Sequence, residues 1–324
     1  MTTQRFNLPR RHALTLLAAG VAVATRAQAQ ESSANATALG RFHTDFVQSQ
    51  VAPGRVLGDN NSQPGVKGDA LSYNAKGDKA VTVIFRYPAN WSMPKPHYVN
   101  SDQEFYILDG SVNFDGTLYQ AGDYAYLPAG YHHGLMQSEN GCTMLNFYEG
   151  EHLAFYEPTP EGMYKADRLI KKIETGKMKW APAKGPAFDT LGAKPHIKIL
   201  RTDKTTGETT YLVKVNSDAA DKPISRYAAT HQAVEEMYLI DGEISSPRGT
   251  LKTGAYVWRA PGTPRGPLGS KTGFVALIRS KGGALETKRS DEKLPVVWNA
   301  PYEPVIADNA RTFAFKTYDA GQRY

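Results

Sequence analysis

The sequence predicts an all-β chain: two tandem antiparallel β-domains, each a sandwich or a barrel, joined by a linker with a short helix. Three observations lead there. First, 29 Gly, 20 Pro and 18 Tyr among 324 residues favour many short strands joined by turns over a helical bundle. Second, short runs rich in β-branched and aromatic residues recur at regular spacing, each ending at Gly, Pro or Asp: "AVTVIFRY", "EFYILDG", "SVNFDGTLY", "DYAYLPA" and "CTMLNFYEG". Third, a second series echoes the first in register. "QEFYILDGSV" (103–112) matches "EEMYLIDGEI" (235–244), and "AGDYAYLPAGYHHG" (121–134) matches "TGAYVWRAPGTPRG" (253–266). Both pairs are offset by 132 residues (235 minus 103, 253 minus 121). A duplication at that period means two similar domains rather than a solenoid of small repeats.

Taken in order, residues 1–29 read as an export signal: a basic "RFNLPRR", an apolar "ALTLLAAGVAVAT" too short to span a bilayer, and a small-residue "AQA" cleavage pattern. Arg10 and Arg11, with Leu14 behind them, resemble a twin-arginine signal, so the mature protein is expected in the periplasm or outside the cell. Residues 30–79 form an N-terminal arm that opens on the polar stub "ESSANATALG", and the first barrel spans 80–158. The linker, 159–194, contains "EGMYKADRLIKKIETGKMKW", whose apolar spacing suits a short amphipathic helix with its lysines on a solvated face, followed by "APAKGPAFDTLGAKP". The second barrel spans 195–290, and the aromatic-rich extension 291–324 has no assigned place.

Charge excludes one class of partner. The net +6 falls to +2 once the signal's four arginines are removed, and no Lys/Arg run of five remains, so nucleic acid is not an expected partner. The single Cys142 rules out an internal disulfide or a CxxC thiolate centre and reads as a small buried apolar residue. After signal removal no membrane insertion is expected. Phosphate-loop, HExxH and GxSxG motifs are absent.

The two halves resemble cupin domains, and the whole is similar to a bicupin, with two double-stranded β-helix (jelly-roll) barrels. The cupin pattern has a first motif, G(X)5HXH(X)3-4E(X)6G, and a second, G(X)5PXG(X)2H(X)3N. Gly122, Pro128, Gly130 and His133 match the second motif in the first half. Counting back from Gly110 puts His97 at the first histidine, Val99 at the second and Gln103 at the acid. In the second half, Gly242 places Ala229, His231 and Glu235 at those positions, while Gly254 and Gly262 put Arg265 where the last histidine belongs.

The resemblance implies one divalent transition metal (Fe, Mn, Ni, Cu or Zn) in the first barrel. Strand alternation turns 97, 99 and 103 to one face, and 133 closes the site from another strand. The implied ligands are His97, His133 and Gln103, a neutral set weaker than one with a carboxylate. A one-residue bulge would instead present Glu104. The spacing selects His133 over its neighbour His132, which is read as a rim residue. In the second barrel, Arg265 opposes a cation, so His231, Glu235 and Arg265 read as a hydrogen-bonded cluster that either supports the fold or receives an anionic ligand. His12, His43, His152 and His196 lie in the signal, the arm or loops and carry no assigned role.

A bicupin with one degenerate half is similar in outline to quercetinase-like dioxygenases, which implies metal-dependent oxygenation of a small organic substrate. The alternatives are a cupin isomerase, lyase or decarboxylase, and a non-catalytic small-molecule-binding or sensing protein, because the first motif also resembles the cupin module of zinc-containing anti-sigma factors. Catalytic residues are not assigned. Cupin barrels commonly pair through their outer sheets, so a homodimer is expected.

Overall fold

The computed structural model describes residues 37–324 apart from 59–62, 186–187, 189–192, 217–221 and positions 75, 78, 151 and 320. The export-signal reading therefore lies outside the described residues. A hairpin, β1 (Thr37–Ala38) and β2 (Arg41–Phe42), precedes β3 (Thr44–Gln48), β4 (Gly54–Val56), β5 (Lys67–Tyr73), β6 (Ala80–Met93), β7 (His97–Val99) and β8 (Gln103–Phe114). The first half continues with β9 (Thr117–Gln120), β10 (Asp123–Leu127), β11 (His132–His133), β12 (Met136–Tyr148) and β13 (Ala154–Phe155). Between the halves run β14 (Ile170–Glu174) and β15 (Ala181–Pro182). The second half holds β16 (His196–Thr202), β17 (Thr209–Val215), β18 (Lys222–Ser225), β19 (Ala229–His231), β20 (Val234–Ser246), β21 (Gly249–Lys252), β22 (Ala255–Arg259), β23 (Leu268–Ser270), β24 (Phe274–Lys281) and β25 (Thr287–Arg289).

The two large sheets repeat one topology. The first runs β14-β10-β8-β12-β6-β5-β4, and the second runs β3-β22-β20-β24-β17-β16-β15 when read in the same sense. β3 and β14 thus occupy equivalent edges, and each leads one repeat in sequence. Each repeat hands its leading strand to the sheet of the other. Val257 and Trp258 of β22 pair with Asp45 and Thr44, more than 200 positions earlier in the chain (257 minus 45).

Two expectations about boundaries change here. Part of the arm 30–79 belongs to the sheets, through β3 in the second and β4 and β5 in the first. The helix expected over 161–180 is instead a pair of short 3-10 turns flanking β14, whose Ile173 and Ile170 pair with Tyr124 and Tyr126 of β10. Leu169, Ile170 and Ile173 suit either period over so short a run, and an open sheet edge decides for the strand.

Among the described residues, strand alternation builds three large cores and a small satellite of Ala193, Val215 and Ile224. In β8, Phe105 and Ile107 point into the first barrel beside Phe85, Phe114 and Met144. Tyr106 and Leu108 point the other way, against Tyr238, Trp258 and Leu277 of the second half. A third cluster, including Phe46 of β3, Val213, Met237 and Ile278, fills the second barrel. Cys142 is buried in the first barrel's core, where burial pushes its thiol up to about 12. The extension 291–324 also finds its place. Val305 exchanges backbone hydrogen bonds with Asp45, and Phe313 and Ala314 join the core between the barrels.

Gly110 and Gly242, the glycines that close the two first motifs, adopt φ +69° and +81°. A Cβ on Gly110 would lie 2.2 Å from the Gly141 carbonyl oxygen, and one on Gly242 would lie 2.1 Å from that of Gly273. The same close approach of two strands demands glycine at equivalent points of both repeats.

Candidate metal centre

Antiparallel pairing of β7 with β11 sets His97 directly opposite His133. Both are buried, and their ring centroids lie 5.1 Å apart with planes 12° from parallel. Two imidazoles bound to one ion at bond lengths of ~2.0–2.1 Å and near-tetrahedral angles would have ring centres about 5 Å apart, a separation this near-parallel, stacked pair matches. His97 Nδ1 lies 3.4 Å from the Lys95 carbonyl oxygen, which leaves Nε2 for another partner. His133 Nδ1 is buried without a hydrogen-bond partner. The edges of Phe114 and Tyr131 hold the His133 ring, and Tyr156 stands over His97 with its centroid 6.1 Å away. Burial, reinforced by His97 and His132, depresses His133 to about 3, and burial also lowers His97. Both rings are therefore neutral near pH 7, the state in which imidazole ligates metal.

The oxygen donor is less well provided. Gln103 is buried, and its amide nitrogen donates to Asn146 Oδ1 at 2.8 Å and, at 3.4 Å, to the Tyr148 hydroxyl, leaving the carbonyl oxygen as the free end of the amide. Glu104 does not turn toward the imidazoles. Gln103 and Glu104 pair in unbroken register with Leu127 and Tyr126 on one side and with Tyr148 and Phe147 on the other, so no bulge exchanges their faces. The Glu104 carboxylate instead accepts from Tyr124 at 2.6 Å, from Thr210, and from Arg279 Nε at 2.8 Å. Among the described residues no cluster of three or more His, Cys, Asp or Glu is arranged to hold a metal ion. The first barrel thus offers two imidazoles with the Gln103 amide nearby in sequence, a neutral set. His132, next in line, is exposed.

The second half reproduces this register with different chemistry. Ala229 bridges to Arg265 as His97 pairs with His133, and both pairs keep the 132-residue offset (229 minus 97, 265 minus 133). The ChrR cupin-like domain family matches the chain twice, over residues 59–150 and 171–282. The chain belongs to the ChrR cupin-like family.

Solved structures show the same bicupin architecture at low identity. A protein from Nostoc punctiforme described as a candidate dioxygenase aligns with TM-score 0.66 and 14% identity, over 78% of this chain and 88% of its own. Salicylate 1,2-dioxygenase from Pseudoaminobacter salicylatoxidans aligns with TM-score 0.52 and 10% identity, over 89% and 96%. A protein from Pseudomonas aeruginosa described as a candidate glyoxylate-induced protein gives 0.51 and 12%, over 79% and 92%. No curated protein matches the chain.

In the second cupin barrel, His231, Glu235 and Arg265 do come together. Arg265 Nη1 donates to Glu235 Oε1 at 2.6 Å, Arg259 Nη1 donates to Oε2 at 2.9 Å, and His231 Nε2 lies 3.9 Å from Oε1. Burial alone would raise the Glu235 carboxyl, but Arg265 and Arg259 pull it down to about 2. Arg259 also forks onto Asp45 at 2.8 and 3.0 Å, and His43 Nδ1 accepts from the Ala260 amide at 3.3 Å. The sequence assigned no role to Arg259, Asp45 or His43. Asp45 and His43 lie in the arm, and no local pattern announces a strand whose partner stands more than 200 residues away.

A second charged layer lies between the cupin barrels. Buried Arg279 binds Glu104, Glu236 and Glu149, Arg41 reaches Glu236 at 3.2 Å, and Lys281 bridges Glu149 and Glu208 at 2.9 and 2.6 Å. Glu235 and Glu236 are adjacent, so alternation sends one to the second-barrel cluster and the other to this layer. Among the described residues no helix is long and apolar enough to cross a membrane.

Proposed function

We propose that the first cupin barrel binds one divalent transition metal (Fe, Mn, Ni, Cu or Zn) on His97 and His133, with the Gln103 amide oxygen as a third donor, and that the protein binds a small organic molecule at that centre. The observation that carries this reading is the register-matched pair of neutral imidazoles, one with a buried nitrogen that no protein group satisfies. Bound there, the metal would act as a Lewis acid toward an oxygen of the small molecule. Phe114 and Tyr131 would fix the His133 ring, the Lys95 carbonyl would fix the His97 tautomer, and Tyr156 would limit access of water. Among the described residues no carboxylate groups with the two imidazoles to move a proton, and Glu104 is held by Arg279. This favours binding or sensing over acid–base catalysis.

Metal analysis of the purified protein is expected to give about one equivalent per chain, lost in the His97→Ala/His133→Ala variant, with Val99→His tightening the site. Metal retained in the double variant would overturn the assignment. The donor count also supports a second reading, a metal-dependent dioxygenase, since three protein donors leave positions open for substrate and dioxygen. Dioxygen uptake with flavonoids or β-diketones distinguishes that enzyme from a binding protein. Export to the periplasm or beyond, by the twin-arginine route, is part of the same proposal and rests on Arg10, Arg11 and the apolar run behind them. Recovery of unprocessed protein solely in the cytoplasm would sink it.

A further inference from the structure

We propose that the second barrel is itself a ligand site, taking a short-chain monocarboxylic acid with its carboxylate on Arg265 and its alkyl end among apolar side chains. The argument starts from register. Arg265 and Ala229 stand where the first barrel has His133 and His97, so a pair of neutral imidazoles is replaced by a guanidinium beside an emptied position. A site shaped for a cation in one repeat becomes one shaped for an anion in the other.

Behind Arg265 lies a cavity of about 60 Å³ lined by Val213, Ile224, Met237, Ile244, Leu251 and Ile278, with Arg259 as the other charged group on its wall. At ~10–15 Å³ per water-sized group it holds roughly four to six heavy atoms, the size of propionate or butyrate. An apolar chamber with a few convergent polar groups is the usual form of a small-molecule site.

Arg259 is held between two carboxylates, Asp45 and Glu235, while Arg265 is bound to Glu235 alone. Arg265 commits only Nη1 to Glu235 among the hydrogen bonds of the described residues, and its side chain stays 16% exposed where Arg259 is 7% exposed. It borders solvent and keeps donors in reserve. His231 Nε2, buried without a hydrogen-bond partner beside Glu235, is a further polar atom in the cluster that protein groups leave unused.

The test is calorimetric titration of the full chain with acetate, propionate, butyrate and hexanoate. A saturable heat is expected, strongest for the acids of about three or four carbons and absent with propionamide. Arg265→Met should weaken binding by about 10- to 100-fold, the loss of one charge-assisted hydrogen bond. Val213→Phe, which fills the chamber and keeps the charges, should abolish binding while the protein remains folded by circular dichroism. The His97→Ala/His133→Ala variant should bind the acid as the wild type does, so failure of the metal reading leaves this one standing. No saturable heat for any acid, equal affinity in Arg265→Met, unchanged binding in Val213→Phe, or loss of binding in the double-histidine variant would each overturn it.

Discussion

Arg279→Ala is expected to lower the free energy of unfolding by about 3–5 kcal/mol, the cost of removing one partner from a buried ion cluster. Arg279 is 1% exposed and is bound by Glu104, Glu236 and Glu149 at once. Its loss strands buried carboxylates, and Arg41 and Lys281 neutralise only part of the remainder. Urea denaturation measures the effect, and a change below about 1 kcal/mol would show that the layer contributes little. Arg279→Met combined with Glu104→Gln and Glu236→Gln should recover part of the loss, because an uncharged layer of similar volume leaves fewer charges without partners.

Acidification should destabilise the protein in two stages. Burial, with nearby guanidiniums, holds His43 and His231 at about 4 against the ordinary 6.5. The unfolded chain therefore takes up protons first. The stabilising effect of keeping these rings neutral is complete above pH 6.5 and disappears as pH falls from 6.5 to about 4. A shift of that size corresponds to about 3 kcal/mol per histidine. Glu235 and Glu149, ion-paired and held at about 2 against an ordinary 4.5, act in the same direction at lower pH. Their contribution is complete above pH 4.5 and lost toward pH 2. Unfolding free energy measured from pH 7 to pH 4 should fall steeply, and the slope should flatten in the His43→Gln/His231→Gln variant. A flat profile in the wild-type protein would contradict the burial of both rings.

The barrels were legible in the sequence because period-2 alternation and the 132-residue echo are local or repeated signals. The same register brings His97 to His133 from segments 36 residues apart (133 minus 97) and Ala229 to Arg265 in the other half. What stayed illegible depends on distant partners. Nothing within the stretch "FHTDFVQ" of the arm says that β3 will pair with β22, so Asp45 and His43 could not be tied to Arg259. Glu104, Glu236 and Arg279 sit on strand faces that look solvent-facing until the two halves pack against each other and bury them. Leu169, Ile170 and Ile173 fit a helix as well as a strand, and the vacancy beside β10 settles which forms.

The crossing-over of β3 and β14 bears on how the chain is made. Residues 44–48 leave the ribosome early, yet their hydrogen-bonding partners at 255–259 do not exist until most of the polypeptide has been synthesised. The first barrel likewise cannot close its edge until residues 170–174 have emerged. A protein laced together in this way resists being cut into portable halves: a fragment ending near 158 would carry an open edge in its own sheet and an orphaned strand at its start.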